Sequence, residues 1–392
     1  MNKQRLKILY IASSGGWGGA SVALYNLIIE VSKEHEVHVL FPRAKGRFYD
    51  MVTALHGVHT HHINYGLTIY SKSKNYLRRV AHFLIHLLLT NTIAKCKLNR
   101  LLLTIRPDIV HNNVGPLDIS STVCKRLSIP HVWHMREYQD LDFNISIFPS
   151  KRVFTRKISD SSNYNIAITE DVFQHHNLRT ETDVVIYDGV FAQDLKASIA
   201  EKRGKKYILF VGRLEKAKCP EIAICAFAAF HKQCADYQLW LAGNDKVPYA
   251  EQCRQLVKDF GIESDVKFLG ERSDVYGLMA NATLQIVPSR FEGFGFITAE
   301  AMYNRCLVIG HNTAGTREQL NVGLRQTGEE IGLRFNTEEE LVEQLIKATS
   351  QDFSEMKERA YSVVTSNYTA KIHADRVINY YHKVLTRSTK KR

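Results

Sequence analysis

Short β-rich runs separated by helical stretches recur along this chain, break off over a polar segment and then begin again, and this double alternation limits the possible folds more than any other feature. Lys7 to Ala12 reads as a strand, Ala20 to Ser32 as a helix and Glu36 to Phe41 as a strand. That βαβ order puts parallel strands in one sheet with helices on its faces. A basic helical stretch follows from about Lys74 to Thr104, and strands resume at Asp108 to Asn112, His131 to Arg136, Asn165 to Thr169 and Val184 to Tyr187. Residues 189–205, GVFAQDLKASIAEKRGK, show no sustained apolar period and suit a linker. Beyond them Tyr207 to Val211, Gln238 to Ala242, Val266 to Leu269, Leu284 to Val287 and Leu307 to Gly310 read as strands, with helices such as Glu221 to Phe230 and Glu251 to Phe260 between them.

The fold class expected is therefore α/β, with two Rossmann-like doubly wound domains. Domain bounds are 1–188 and 206–368, and a C-terminal helix over 369–392 is free to pack back on the first domain. A chain of 392 residues is beyond the size at which one core keeps growing, which agrees with two. Doubly wound sheets bind at the carboxyl ends of their strands, so the site residues should lie on loops after strands in both halves, facing a cleft between them.

Composition removes several function classes. With 45% apolar and 23% charged residues the chain is globular rather than disordered. Its seven cysteines are scattered and never paired at metal-ligand spacing, which fits a reducing cytoplasm. The opening MNKQRLKILYIASSGG has a basic start, but its apolar run is about seven residues and leads into a glycine loop, as a first strand does. The other long apolar stretch, Val80 to Leu89, contains His82 and His86 and falls short of the roughly 20 residues that cross a bilayer.

The net charge of +12 is concentrated. Residues 1–106 hold 15 Lys/Arg against 4 Asp/Glu, and between Met51 and Pro107 there are eight basic residues and no acidic one. Basic residues interleaved with stacking aromatics, the pattern of a nucleic-acid reader, are not evident, so nucleic acid is not an expected partner. Instead Tyr76, Leu77, Val80, Phe83, Leu84, Leu87 and Leu88 recur at helical spacing, flanked by Lys72, Lys74, Arg78, Arg79, Lys95, Lys97 and Arg100. A basic amphipathic segment of this kind suits an anionic membrane surface, and equally suits packing on its own sheet with a solvated basic face.

Chemistry is concentrated in Phe291-Glu292-Gly293-Phe294-Gly295-Phe296-Ile297-Thr298-Ala299-Glu300, after the strand that ends at Pro288-Ser289. Glycines let a backbone approach a ligand closely, and the start of a helix offers free N–H groups and a positive dipole end to a phosphate. The two carboxylates would repel a diphosphate, so sugar hydroxyls at either end of the ligand are their natural partners. Val211-Gly212-Arg213-Leu214-Glu215-Lys216-Ala217-Lys218 follows the first strand of the second domain and supplies an Arg fork and a Lys point charge, as a departing diphosphate requires.

Together these segments resemble the retaining GT-B glycosyltransferases of the family 4 type, glycosyl transferases group 1. The resemblance implies that Glu292 contacts the donor sugar, Glu300 the ribose, and the intervening backbone the phosphate. Arg213 and Lys218 match the phosphate-binding pair, with Cys219 where glycine is usual. Val266 to Gly270 resembles the strand and loop near the base, and Ala314-Gly315-Thr316-Arg317-Glu318 the glycine-rich loop beyond the donor. In the first domain Gly15-Gly16-Trp17-Gly18-Gly19-Ala20 looks like the family's first loop, and a tight structural turn is an equal alternative. His131-Val132-Trp133-His134-Met135-Arg136-Glu137 resembles the segment that carries an active-site histidine.

The site expected from this resemblance has His134, Glu292, Arg213 and Lys218 as catalytic residues. Donor-binding positions are Gly18, Gly19, Gly212, Arg213, Lys218, Leu269, Glu292, Gly293, Phe294, Gly295, Phe296, Thr298 and Glu300. Asp140 and Asp142 form an Asp-x-Asp pair but read as ordinary loop residues, so no metal ligands and no cofactor are expected. The implied activity is a metal-independent, retaining transfer of a sugar from a nucleotide diphosphate sugar to a glycan or lipid-linked glycan acceptor, in bacterial surface polysaccharide synthesis. The implied location is the cytoplasm, with peripheral attachment to the inner membrane face. Alternatives are a GT-B sugar-nucleotide epimerase and a non-catalytic basic nucleic-acid-binding protein.

Overall fold

Both large sheets are parallel throughout, and both change direction once. The computed structural model describes residues 5–71, 76–142, 145–192 and 206–389, and for residues 70, 71 and 76–86 the backbone alone. The chain divides into two units, Met1–Gln193 with Tyr368–Arg392, and Asp194–Asn367.

In the first unit the strands are β1 (Lys7–Ile11), β2 (Glu36–Phe41), β3 (Val58–His62), β4 (Ile69–Ser71), β5 (Ile109–Asn112), β6 (His131–Met135), β7 (Ile145–Ile147), β8 (Asn163–Ala167) and β9 (Val184–Val185). Seven of them form one sheet in the order β3-β2-β1-β5-β6-β8-β9, while β4 and β7 pair separately and antiparallel. The second unit contributes β10 (Lys206–Val211), β11 (Tyr237–Ala242), β12 (Val266–Gly270), β13 (Leu284–Val287), β14 (Leu307–His311) and β15 (Leu333–Phe335), in the order β12-β11-β10-β13-β14-β15. Each first strand lies centrally with later strands added on either side, the doubly wound pattern expected.

Central strands such as KILYI and LQIV are buried on both faces, which explains their nearly continuous apolar character. Helices cover them. In the second unit Pro220–His231 turns Ala223, Phe227 and Phe230 onto the sheet.

The last helix, Ala370–Thr389, belongs to the first unit. It packs beside helix Gly19–Val31 and buries Ala374, Val377, Tyr380 and Tyr381 in that unit's core. Tyr380 donates to the carbonyls of Asn165 at 3.1 Å and Thr182 at 2.8 Å, so polar contacts fix its register as well. The crossover begins at Tyr368, and the first unit runs to Gln193 rather than 188.

Four strands were not anticipated, among them the short antiparallel pair β4 and β7 of three residues each. Strand β3, VHTHH, is an edge strand whose polar side chains face solvent on one side, so it lacks an apolar signal. Strand β15 is three residues long and lies at the edge of the second sheet. The basic stretch is one helix, Tyr76–Ile105.

Candidate functional site

The second sheet reverses its winding between β10 and β13, the place where open parallel sheets take ligands. The loops leaving these two strands meet there. After β10 the chain runs through a 3-10 turn, Lys216–Lys218, and Lys218 Nζ lies 2.6 Å from Glu292 Oε1 on the loop after β13. The two side chains are only 23% and 14% exposed, so the pair sits recessed, where charge acts more strongly than in open water. Arg213, from the same loop as Lys218, is half exposed and pairs with Glu215 Oε2 at 3.0 Å.

Two glycines are required by close backbone approach. A Cβ on Gly243, following β11, would stand 1.8 Å from the Gly212 carbonyl oxygen. On Gly315 it would stand 2.4 Å from the Phe294 oxygen and 2.8 Å from that of Glu292. The Gly315 N–H donates to the Glu292 carbonyl at 2.9 Å, and the Gln319 amide donates to the carbonyls of Phe294 and Gly295 at 2.6 and 2.9 Å. The glycine-rich turn is thus held rigidly by helix Ala314–Thr327.

Gly295, with φ of +85°, opens helix Phe296–Tyr303, whose start has no side-chain cap and no acidic residue in its first turn. Such a start suits an anion. The side chains of Phe294 and Thr298 are buried, and Thr298 Oγ1 lies 3.2 Å from Thr316 Oγ1. The fold uses these two side chains to pack the turn, which leaves the backbone between Glu292 and Glu300 as the part expected to meet a phosphate. Gly293 and Phe296 are partly exposed on it, and Leu269 is partly exposed at the end of β12. Glu300 lies midway along this helix, where Tyr276 donates to its Oε1 at 3.4 Å. Burial pushes the Glu300 carboxyl up to about 7, and the Tyr276 hydrogen bond opposes that shift.

In the first unit β1 and β5 flank the corresponding reversal. Gly18 and Gly19, between β1 and helix Gly19–Val31, have nothing within 4 Å of where a Cβ would stand, so packing does not require glycine there. The loop's own constraint is at Gly15, whose Cβ would meet the Lys45 carbonyl oxygen at 2.0 Å.

His134 is placed differently from expectation. It is fully buried within β6, 3.3 Å from His111 Nε2, and it stacks near His373 of the last helix at 5.9 Å. Arg136 donates to its Nδ1 at 3.2 Å and forms a buried ion pair with Asp188. Burial first, then the Arg136 charge, holds the imidazole well below its usual pKa, so it stays neutral. His134 therefore serves the interior, with no face open to a donor sugar, because the last helix returns to cover it.

Glu137, just past the end of β6, has a buried Oε2 with no hydrogen-bond partner, and burial, reinforced by Asp142, pushes its carboxyl up to about 8. Asp140 pairs with His175 at 2.8 Å and Lys151 at 2.9 Å, while Asp142 accepts from the backbone N–H groups of Tyr138 and Gln139 at 3.0 and 2.7 Å. The two carboxylates are turned to separate structural tasks.

Residues 191–362 match the family described as Glycosyl transferases group 1. The second unit is a glycosyl transferases group 1 domain. A stretch of 152 residues, 38% of this chain, is 26% identical to the N-acetylgalactosamine-N,N'-diacetylbacillosaminyl-diphospho-undecaprenol 4-alpha-N-acetylgalactosaminyltransferase of Campylobacter jejuni subsp. jejuni serotype O:2. Another of 168 residues, 42% of the chain, is 24% identical to the lipopolysaccharide core biosynthesis mannosyltransferase LpcC of Rhizobium leguminosarum bv. viciae. These stretches amount to 40% and 46% of the relatives' lengths, so the chain spans less than half of each. In fold the likeness covers both units: Anabaena HepE in complex with UDP-glucose matches 97% of this chain and 100% of its own, with a TM-score of 0.75 at 18% identity. The architecture is GT-B.

Within the group 1 domain, Cys219 occupies the position where glycine is usual, and the structure gives the reason for that preference. Its φ and ψ are 51° and 47°, the left-handed region, which costs a non-glycine residue roughly 1–2 kcal/mol. The Cys219 thiol donates to the Lys216 carbonyl at 3.4 Å, and the loop keeps its path. Sequence reasoning missed Tyr276 and Gln319, which support Glu300 and the glycine-rich turn from the helices that precede and follow Phe296–Tyr303.

Proposed function

We propose that this protein transfers a sugar from a nucleotide diphosphate sugar to a glycan or lipid-linked glycan acceptor, with retention at the anomeric carbon and without a metal ion. The Lys218–Glu292 pair at the winding reversal of the group 1 domain carries this reading. An ammonium has three donors, so Lys218 can hold Glu292 and a β-phosphate oxygen together. As the bond from the anomeric carbon to the phosphate oxygen breaks, its electron pair leaves with the diphosphate, whose growing charge Lys218, Arg213 and the helix start at Gly295 stabilise. The acceptor hydroxyl adds to the same face and gives its proton to the departing phosphate. Glu292 takes donor-sugar hydroxyls and Glu300 the ribose. The UDP-glucose complex of HepE and the diphospho-undecaprenol named for the Campylobacter relative support the substrate classes.

The test is a screen of nucleotide sugars with lipid-linked and free glycan acceptors in excess chelator. We expect nucleoside diphosphate release that needs acceptor and survives chelation. Turnover of donor alone would favour the epimerase, and turnover restored only by manganese would overturn the metal-free mechanism.

We further propose that the acceptor is met at an anionic membrane on the cytoplasmic side, with helix Tyr76–Ile105 lying on it. No helix among the described residues is long and apolar enough to cross a membrane. Toward the core this helix presents Ala94, Leu98, Leu102 and Ile105. Opposite them Leu88, Leu89, Ile93 and Leu103 are each more than half exposed, beside exposed Lys97 and Arg100. Leu87, assigned to the membrane face from periodicity, is buried and faces Gly66. The side chains from Tyr76 to Leu84, with Lys72 and Lys74, lie outside those described. Each cation near an anionic surface contributes about 1 kcal/mol. In sedimentation with vesicles, binding should require anionic lipid and weaken with salt, and Lys95→Gln, Lys97→Gln and Arg100→Gln together should reduce it by roughly tenfold or more. Equal binding to neutral vesicles would overturn the proposal.

A further inference from the structure

At the other end of the first sheet, the neighbouring edge strands bring together groups that the transfer reaction does not use. Strands β2 and β3 run parallel with His38 opposite His59 and Leu40 opposite His61, so Glu36, His38, His59 and His61 all project from one face. One ligand atom from each of Glu36, His38 and His59 lies within 4.8 Å of the others. His38 Nε2 is 3.0 Å from Glu36 Oε1, and its Nδ1 is 2.9 Å from His61 Nε2. The His38 ring stacks between those of His59 and His61, with centroids 4.7 and 5.2 Å away.

We propose that Glu36, His38 and His59 bind one divalent transition-metal ion of the zinc type, and that this ion clips edge strand β3 to β2. Two imidazoles and a carboxylate form a set that zinc takes readily, with a fourth position left to water. Zinc–nitrogen bonds of roughly 2.0–2.1 Å in a tetrahedron put ligand atoms about 3.3 Å apart, which the exposed His59 reaches by a side-chain adjustment. His61 then has a defined part. With His38 Nε2 on the metal, Nδ1–H donates to His61 Nε2, the outer hydrogen bond that metal-bound histidines make and that orients the ring.

The position separates this site from the sugar chemistry. Glu36 starts β2, whereas the glycine loops leave the carboxyl ends of the strands. The clip is therefore structural, holding a strand that, among the described residues, lies at the edge of the sheet. Lys7 opposes it, since its ammonium lies 2.9 Å from Glu36 Oε1 and competes for that oxygen.

Calorimetric titration of the full chain, prepared without a histidine tag in chelator-stripped buffer, with zinc chloride as the probe tests this. We expect one ion per chain, a rise in melting temperature on binding, and reversal by chelator. His59→Ala, at an exposed position that leaves folding intact, should weaken binding at least tenfold, and Lys7→Met should tighten it. His56→Ala and His62→Ala, exposed neighbours outside the set, should leave it unchanged. Zinc binding that is unaltered in His59→Ala, or the absence of a saturable single site, overturns the proposal.

Discussion

Lys218→Ala should lower kcat about 10²–10³-fold with the donor found by the screen, corresponding to roughly 3–4 kcal/mol of lost charge stabilisation. The ammonium is the recessed positive charge at the reversal of the second sheet, 2.6 Å from Glu292, whereas Arg213 is half exposed and already paired with Glu215. Its removal takes charge from where the leaving diphosphate develops it and leaves the Glu292 carboxylate without its close cation. Lys218→Arg, which keeps the charge, should recover part of kcat. Glu292→Gln should instead act mainly on the sugar, with affinity for the free nucleoside diphosphate kept. Steady-state kinetics with product-inhibition constants read both, and a Lys218→Ala enzyme within threefold of wild type would remove the pair from the mechanism.

Glu300→Gln should separate stability from binding. Burial raises this carboxyl from 4.5 to about 7, so the folded state favours its protonated form. That contribution to stability is complete below the unfolded pKa near 4.5 and is lost as the pH rises through about 7. Above that the ionised group is a net cost of about 3 kcal/mol, the shift multiplied by about 1.4 kcal/mol per unit. The Gln variant should therefore melt several degrees higher than wild type at pH 8 and show no advantage near pH 4.5. Its affinity for the nucleoside diphosphate should fall and lose pH dependence. In wild type that affinity should weaken as the pH drops below about 7, because ribose hydroxyls donate to the ionised carboxylate. Equal melting temperatures at pH 8 with unchanged nucleotide affinity would refute the assignment.

Legibility in the sequence followed the locality of the physics. The strands of both sheet centres carry runs such as KILYI and YQLWLA, and burial on both faces imposes that pattern whatever the rest of the chain does. Strand β3 escaped because its alternation is of histidines on an edge, where no apolar signal is needed. Glu292 and Lys218 were legible because loops that follow central strands gather where a doubly wound sheet reverses.

His134 misled for a related reason. A histidine at a strand's end looks available to a ligand until a helix more than 230 residues later returns to cover it with His373. Leu87 misled similarly, since helical spacing identifies an apolar stripe but not which side of it meets the sheet. By itself the sequence determined two doubly wound α/β units and the loops that carry the charged residues, because period and turn chemistry act over a few neighbours. Only the tertiary structure decided that the last helix belongs to the first unit, that Thr298 and His134 face inward, that Tyr276 supports Glu300, and that four side chains of β2 and β3 share one face. Those outcomes depend on contacts between residues distant in sequence, whose register is set by packing and not by any local preference.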